Sequence, residues 1–125
     1  MNELKLKLMS FGFLYGVPQA DMVLDMRGLQ NPFYVPELKE KTGLDQVVQD
    51  YIFSFPESKE YLQTVLHLLQ LRLHQAVKYG RPLDMTFAIG CTGGRHRSVA
   101  MTVKIAERLR EIGYHVTVQH RELEQ

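Results

Sequence analysis

Between Ile89 and Val99 the chain reads Gly-Cys-Thr-Gly-Gly-Arg-His-Arg-Ser. Gly93 and Gly94 permit backbone angles that aim several N–H groups at one point and let a ligand come close. Thr92 and Ser98 add hydroxyls. Arg95 and Arg97 add planar, permanently charged forks that match phosphate oxygens, and His96 adds a further donor. A helix starting just after this string would bring unpaired N–H groups and partial positive charge to the same place. Together these residues make an anion-binding loop suited to phosphate. A helix cap carrying surface arginines is the plainer alternative. Two glycines, two hydroxyls and two arginines at one junction favour the anion site.

The flanking patterns supply the required frame. Residues 83–91, Leu-Asp-Met-Thr-Phe-Ala-Ile-Gly-Cys, read as a buried strand, and residues 98–113 as a helix with Val99, Val103, Ala106 and Leu109 on one stripe. Arg108 and Arg110 suit the helix's last turns and Gly113 its stop. Residues 114–120 read as a last strand. Strand, loop, helix and strand in that order favour a parallel crossover. Upstream, residues 4–9 alternate apolar and cationic positions, a strand with one wet face, and residues 21–26 form a short buried strand. A short helix is expected over 45–53, capped near Thr42 or Asp45. The longest helix is expected from Pro56 to Gly80, with Leu62, Val65, Leu66, Leu69 and Leu73 facing the core. The connector from Arg27 to Asp45, with Pro32, Pro36 and Gly43, is long enough to be functional or packed in its own right. The fold class is therefore α/β: one domain over residues 1–125, a mixed and mostly parallel sheet flanked by helices.

Cys91 and Arg97 also fit C-x5-R, followed by Ser98, the loop signature of cysteine-dependent phosphatases. In those enzymes the helix N-terminus and the arginine activate a thiolate nucleophile. This chain has Gly90 where they usually carry His, and bulky His96 where many have a small residue. No Asp can be assigned as general acid. Cys91 packed at a strand end as a small apolar group is the preferred reading, and a catalytic Cys91 the alternative. His67 and His74, seven apart on one helix side, lack a third ligand and are read as ordinary histidines rather than a metal pair. Asp25 and Arg27 end the second strand, where α/β folds collect ligand groups. Arg27 completing the phosphate site, with Asp25 orienting it or taking the ligand's amino group, stands level with a purely local ion pair. His120 at the end of the last strand and Arg121 after it either reach that end or fray.

Composition narrows the classes. Net charge is +1, hydrophobic residues are 45% and charged residues 23%, an ordinary globular balance. No apolar run is long enough to span a membrane, and the opening residues show no signal-peptide pattern. One cysteine rules out an internal disulfide framework and favours a reducing, cytoplasmic setting. After residue 90 the cations Arg95, Arg97, Lys104, Arg108, Arg110 and Arg121 outnumber Glu107, Glu111, Glu122 and Glu124. That basic excess is mild. Arg95 is expected to face outward, beside the helix surface bearing Lys104 and Arg108.

Several strings together resemble the C-terminal domain of the RapZ/YvcJ family of bacterial RNase adapters. They are SFGF-YG-P at 10–18, D-R-L-NP at 25–32, VPELK-KTGLD at 35–45, AIGCTGGRHRSV at 88–99 and HR at 120–121. The likeness runs from Lys5 to about Leu123. It implies a fold similar to a phosphofructokinase subdomain, a pocket that senses glucosamine-6-phosphate, and a surface for small regulatory RNA and an RNase. The pocket role carries onto Cys91, Thr92, Gly93, Gly94, His96 and Arg97; the RNA role carries onto Arg95 and Lys104, with Arg108 on the same helix face. The family's N-terminal P-loop domain has no counterpart here, because no G-x-x-x-x-G-K-[ST] string occurs. No cofactor is expected. Phe33 stands where enterobacterial members have His, and the chain ends without their basic tail. Tight RNA binding by so few cations would need a homo-oligomer.

Overall fold

The computed structural model describes residues 4–80 and 84–124. Four strands form the sheet: β1 (Lys5–Gly12), β2 (Met22–Asp25), β3 (Asp84–Cys91) and β4 (Val116–His120). Their order is β2-β3-β1-β4, and all three pairings are parallel. The three helices are α1 (Gln46–Phe53), α2 (Pro56–Tyr79) and α3 (Arg97–Glu111). The mostly parallel α/β domain expected from the alternation of patterns is what forms. Residue 83, read as the start of the third strand, lies outside the described residues.

Burial explains each element. β3 is central and buried along most of its length, as a parallel inner strand should be. β1 is also central and keeps Leu6 and Leu8 inside, with Lys5 exposed and Leu4 buried just before it. α2 turns Leu62, Val65, Leu66, Leu69, Leu73 and Ala76 to the core. α3 buries more than the predicted stripe. Val99, Ala106 and Leu109 are inside, Val103 is half-buried, and Ala100, Met101, Thr102 and Ile105 are buried as well. The wider face follows from α3 packing on β1, β3 and β4 while also touching α1 and α2. One continuous apolar cluster joins sheet and helices.

The register brings the carboxyl ends of three strands together. Gly12 of β1 lies opposite Cys91 of β3, and Asp25 of β2 lies opposite Gly90. Ser10 of β1 faces His120 of β4. The connector after β2 is not featureless: a 3-10 turn covers Pro32–Tyr34, and Asp45 stands as N-cap of α1. Among the described residues no helix is long and apolar enough to cross a membrane.

Candidate anion-binding cleft

The loop from Cys91 to His96 joins β3 to α3 and is held from three sides. On one side, the Leu14 N–H donates to the Thr92 carbonyl at 3.1 Å. On a second, the Gly43 N–H donates to the Arg95 carbonyl at 2.8 Å, and Gln49 Nε2 donates to the Gly43 carbonyl at 2.8 Å. A Cβ on Gly43 would lie 2.5 Å from the His96 carbonyl oxygen, so only glycine lets this segment sit against the start of α3. On the third side is the chain's end. Gly12 N–H donates to buried Glu122 Oε2 at 2.9 Å, and Gly94 has φ +77°. A Cβ on Gly94 would come within 2.5 Å of both Gly12 N and Glu122 Cγ. Gly94 is thus fixed by conformation and by space together.

These tethers orient the loop's donors. In a trans peptide the C=O of one residue points opposite to the N–H of the next. With the Thr92 and Arg95 carbonyls held by outside partners, the N–H groups of Gly93 and His96 point the other way. Neither N–H meets a protein acceptor among the described residues. Both residues line a cleft of about 490 Å3, with Cys91, Thr92, Arg95 and Arg97 on the same wall. Lys39, Glu40 and Asn31 line it from the connector, and Leu14, Tyr15, Phe33 and Tyr34 form an apolar rim. Tyr15 and Tyr34 are 63% and 79% exposed.

Arg97 is only 5% exposed. Its Nη1 donates to the Arg27 and Leu29 carbonyls at 2.8 and 3.2 Å, and Nη2 to Thr92 Oγ1 at 3.4 Å. Nε is buried without a partner among the described residues. The fork therefore braces the segment after β2 against the loop, and its charge reaches the cleft through the Nη2 side. His96 is buried, with Nε2 at 3.2 Å from the Lys39 carbonyl. A carbonyl only accepts, so Nε2 carries the proton. Burial pushes the His96 pKa down, against the pull of that hydrogen bond. Cys91 is 2% exposed; its Sγ donates to Ser98 Oγ at 3.2 Å and accepts from Ser98 N–H at 3.3 Å. Ser98 is thereby turned to the thiol and does not itself line the cleft.

The remaining expected residues sit elsewhere. Arg27 pairs with Asp25 (Nη2–Oδ2 2.9 Å, Nε–Oδ1 3.0 Å) and lies 3.8 Å over the Phe13 ring centre. The Arg27 guanidinium holds the Asp25 carboxyl below its ordinary range. Neither side chain lines the cleft; Arg27 contributes its carbonyl to Arg97. Arg95 is exposed and lines the cleft itself. Lys104 pairs with Glu107 at 3.7 Å, and Arg108 lines a separate groove with His67 and Glu111. His120 and Arg121 reach the loop's end of the sheet as anchors: His120 Nδ1 bonds Ser10 Oγ at 2.7 Å, and Arg121 donates to the Gly16 carbonyl at 2.7 Å. His67 and His74 are exposed, and no group of three metal-ligating side chains comes together among the described residues.

Residues 4–124, nearly the whole chain, match the pattern of the RapZ C-terminal domain. The chain belongs to the RapZ C-terminal domain family. Nucleotide-binding proteins of Limosilactobacillus reuteri (strain DSM 20016), Nocardioides sp. (strain ATCC BAA-499 / JS614) and Clostridium novyi (strain NT) are similar to it, at 48%, 47% and 44% identity. The matches cover 98%, 97% and 98% of this chain but 42%, 40% and 42% of the relatives. The chain thus spans well under half the length of the curated relatives it matches.

In this RapZ C-terminal domain the Lys39 and Glu40 part of the connector wall carries no motif signal. Lys39 and Glu40 fall inside the VPELK-KTGLD string, whose residues carried no assigned chemistry. The one available signal was the connector's length. Glu122, which seats both Gly12 and Gly94, gave none, because its partners lie far away in the chain.

Proposed function

We propose that the cleft binds a phosphorylated small molecule, a phosphorylated amino sugar of the glucosamine-6-phosphate kind, and that the domain works by regulation. One observation carries this reading: Gly93 and His96, whose N–H groups meet no protein acceptor among the described residues, line a cleft together with Arg95, Arg97 and Lys39. Each charge-assisted hydrogen bond contributes about 1.5–3 kcal/mol. Three or four of them give micromolar to millimolar affinity, roughly, once association costs are subtracted. The rim of Tyr15, Phe33 and Tyr34 suits the apolar face of a sugar ring. The printed name of the relatives, nucleotide-binding, supports a phosphate-bearing guest in general. The family resemblance adds small regulatory RNA and an RNase as partners, with Arg95 and Lys104 as RNA contacts and Arg108 joined to them by its shared helix face with Lys104.

Binding without turnover fits the groups around Cys91. The thiol is engaged with Ser98, and Arg97 is tied to main-chain carbonyls. Calorimetry with glucosamine-6-phosphate tests the reading. Saturable binding is expected, lost in an Arg95→Ala/Lys39→Ala protein that still folds. Equal affinity in parent and variant sinks it.

A further inference from the structure

Among the charged side chains lining the cleft, Lys39, Arg95 and Arg97 are cationic and Glu40 alone is acidic. Glu40 is exposed and forms no ion pair among the described residues. Its neighbour Lys39 rests its ammonium 4.8 Å over the Phe33 ring instead. The backbone bearing both is pinned: the Lys39 N–H donates to the Val35 carbonyl at 3.0 Å, and the Lys39 carbonyl accepts from His96. Glu40 is therefore held at the cleft wall by the same residue that shapes the anion loop. A lone carboxylate there repels a plain phosphate ester. A guest carrying both a phosphate and an ammonium group turns that repulsion into attraction.

We infer that Glu40 is a specificity-determining residue, and that it selects a zwitterionic guest. The loop, Arg95 and Lys39 take the phosphate, and Glu40 takes the protonated amine. The inference rests on the cleft reading above. It predicts that the cleft tells an amino sugar phosphate from its neutral or N-acetylated counterpart, which carries the same phosphate and no ammonium.

The test compares parent and Glu40→Gln by calorimetry at fixed salt and neutral pH. The probes are glucosamine-6-phosphate, glucose-6-phosphate and inorganic phosphate. The parent should prefer the amino sugar. In the variant, affinity for the amino sugar should fall about two- to fivefold, the range of an exposed ion pair, while affinity for glucose-6-phosphate holds or rises. A fall confined to the amino sugar is the signature that a merely structural Glu40 cannot produce. No preference in the parent, or both sugars weakening alike in the variant, overturns the role of Glu40 and leaves the phosphate cleft standing. Binding of inorganic phosphate without either sugar also overturns it. No binding of any probe to the parent removes the cleft reading and the inference together.

Discussion

Replacing Arg97 by Ala withdraws three hydrogen bonds and leaves the Arg27 and Leu29 carbonyls without their donor. The site is almost fully buried, so the loss is not offset by water; about 2–4 kcal/mol of stability should go. A domain of this size holds about 5–15 kcal/mol, so the variant should fold but melt earlier and bind phosphate poorly. Urea unfolding and calorimetry read the two effects, and unchanged stability would contradict the bracing role. Arg97→Lys should recover little, since one ammonium cannot span both carbonyls and Thr92. Cys91→Ser should keep affinity for the guest within about tenfold, or roughly 1.4 kcal/mol. Neither parent nor variant should hydrolyse p-nitrophenyl phosphate. Turnover in the parent that vanishes in Cys91→Ser would restore the phosphatase alternative. His96 and His120 both have pKa values lowered by burial. The folded state therefore binds fewer protons than the unfolded one below the ordinary histidine pKa. Stability should be level above about pH 6.5 and decline as pH drops below it. His96→Gln should flatten that decline in urea midpoints taken from pH 5 to 7.5.

Within the β3–α3 loop, adjacent glycines have different tasks. Gly94 has positive φ and no room for a Cβ, whereas nothing lies within 4 Å of a Cβ on Gly93. Gly94→Ala should cost about 2–4 kcal/mol through strain and overlap with Gly12 and Glu122. Gly93→Ala should change stability by less than about 0.5 kcal/mol yet weaken phosphate binding, because its methyl group enters the cleft wall. Equal melting points for the two variants would contradict this division. The same loop marks what could be read in the sequence. β3, α3 and β4 were legible because their patterns are local: a buried run, a helical stripe, a glycine stop. α2 was legible for the same reason. Arg97 looked like a front-facing phosphate fork because its spacing from Cys91 is local, while its carbonyl partners are set by where the chain returns after β2. The connector wall and the Glu122 seat depend on pairings between distant segments, which no periodicity encodes. The Asp25–Arg27 pair lay between two readings for a simpler reason. Both residues are close enough to satisfy each other, and whether they also reach a ligand depends on the loop across the sheet.

Across the whole molecule, the cations proposed for RNA are not gathered at one spot. Arg95 lies just before α3 and Arg108 near its far end, thirteen positions on, or roughly 20 Å of helix. Lys104 between them already faces Glu107. A single strand laid along this line meets about three cations, one of them partly neutralised, which sets a salt slope of about −2 or shallower at roughly −0.7 per contact. Arg95 is shared by the two proposals: it lines the cleft, and the buried residues 97–102 of α3 separate it from Lys104 and Arg108. A phosphate in the cleft draws on the same guanidinium that an RNA phosphate would use. Occupation of the cleft should therefore weaken RNA binding and make its salt slope shallower by up to about 0.7, and RNA should weaken the small guest by the same factor, since coupling is reciprocal. Filter-binding salt titrations with and without saturating glucosamine-6-phosphate measure this, on the parent and on Arg95→Ala. The effect should be present in the parent and absent in the variant, whose slope should already be the shallower one. If glucosamine-6-phosphate binds and the RNA isotherm does not move, the cleft and the RNA contacts are energetically separate and Arg95 serves only one of them. If the parent retains no RNA at low salt, this surface is not an RNA site, and the cleft is the domain's one phosphate-binding feature.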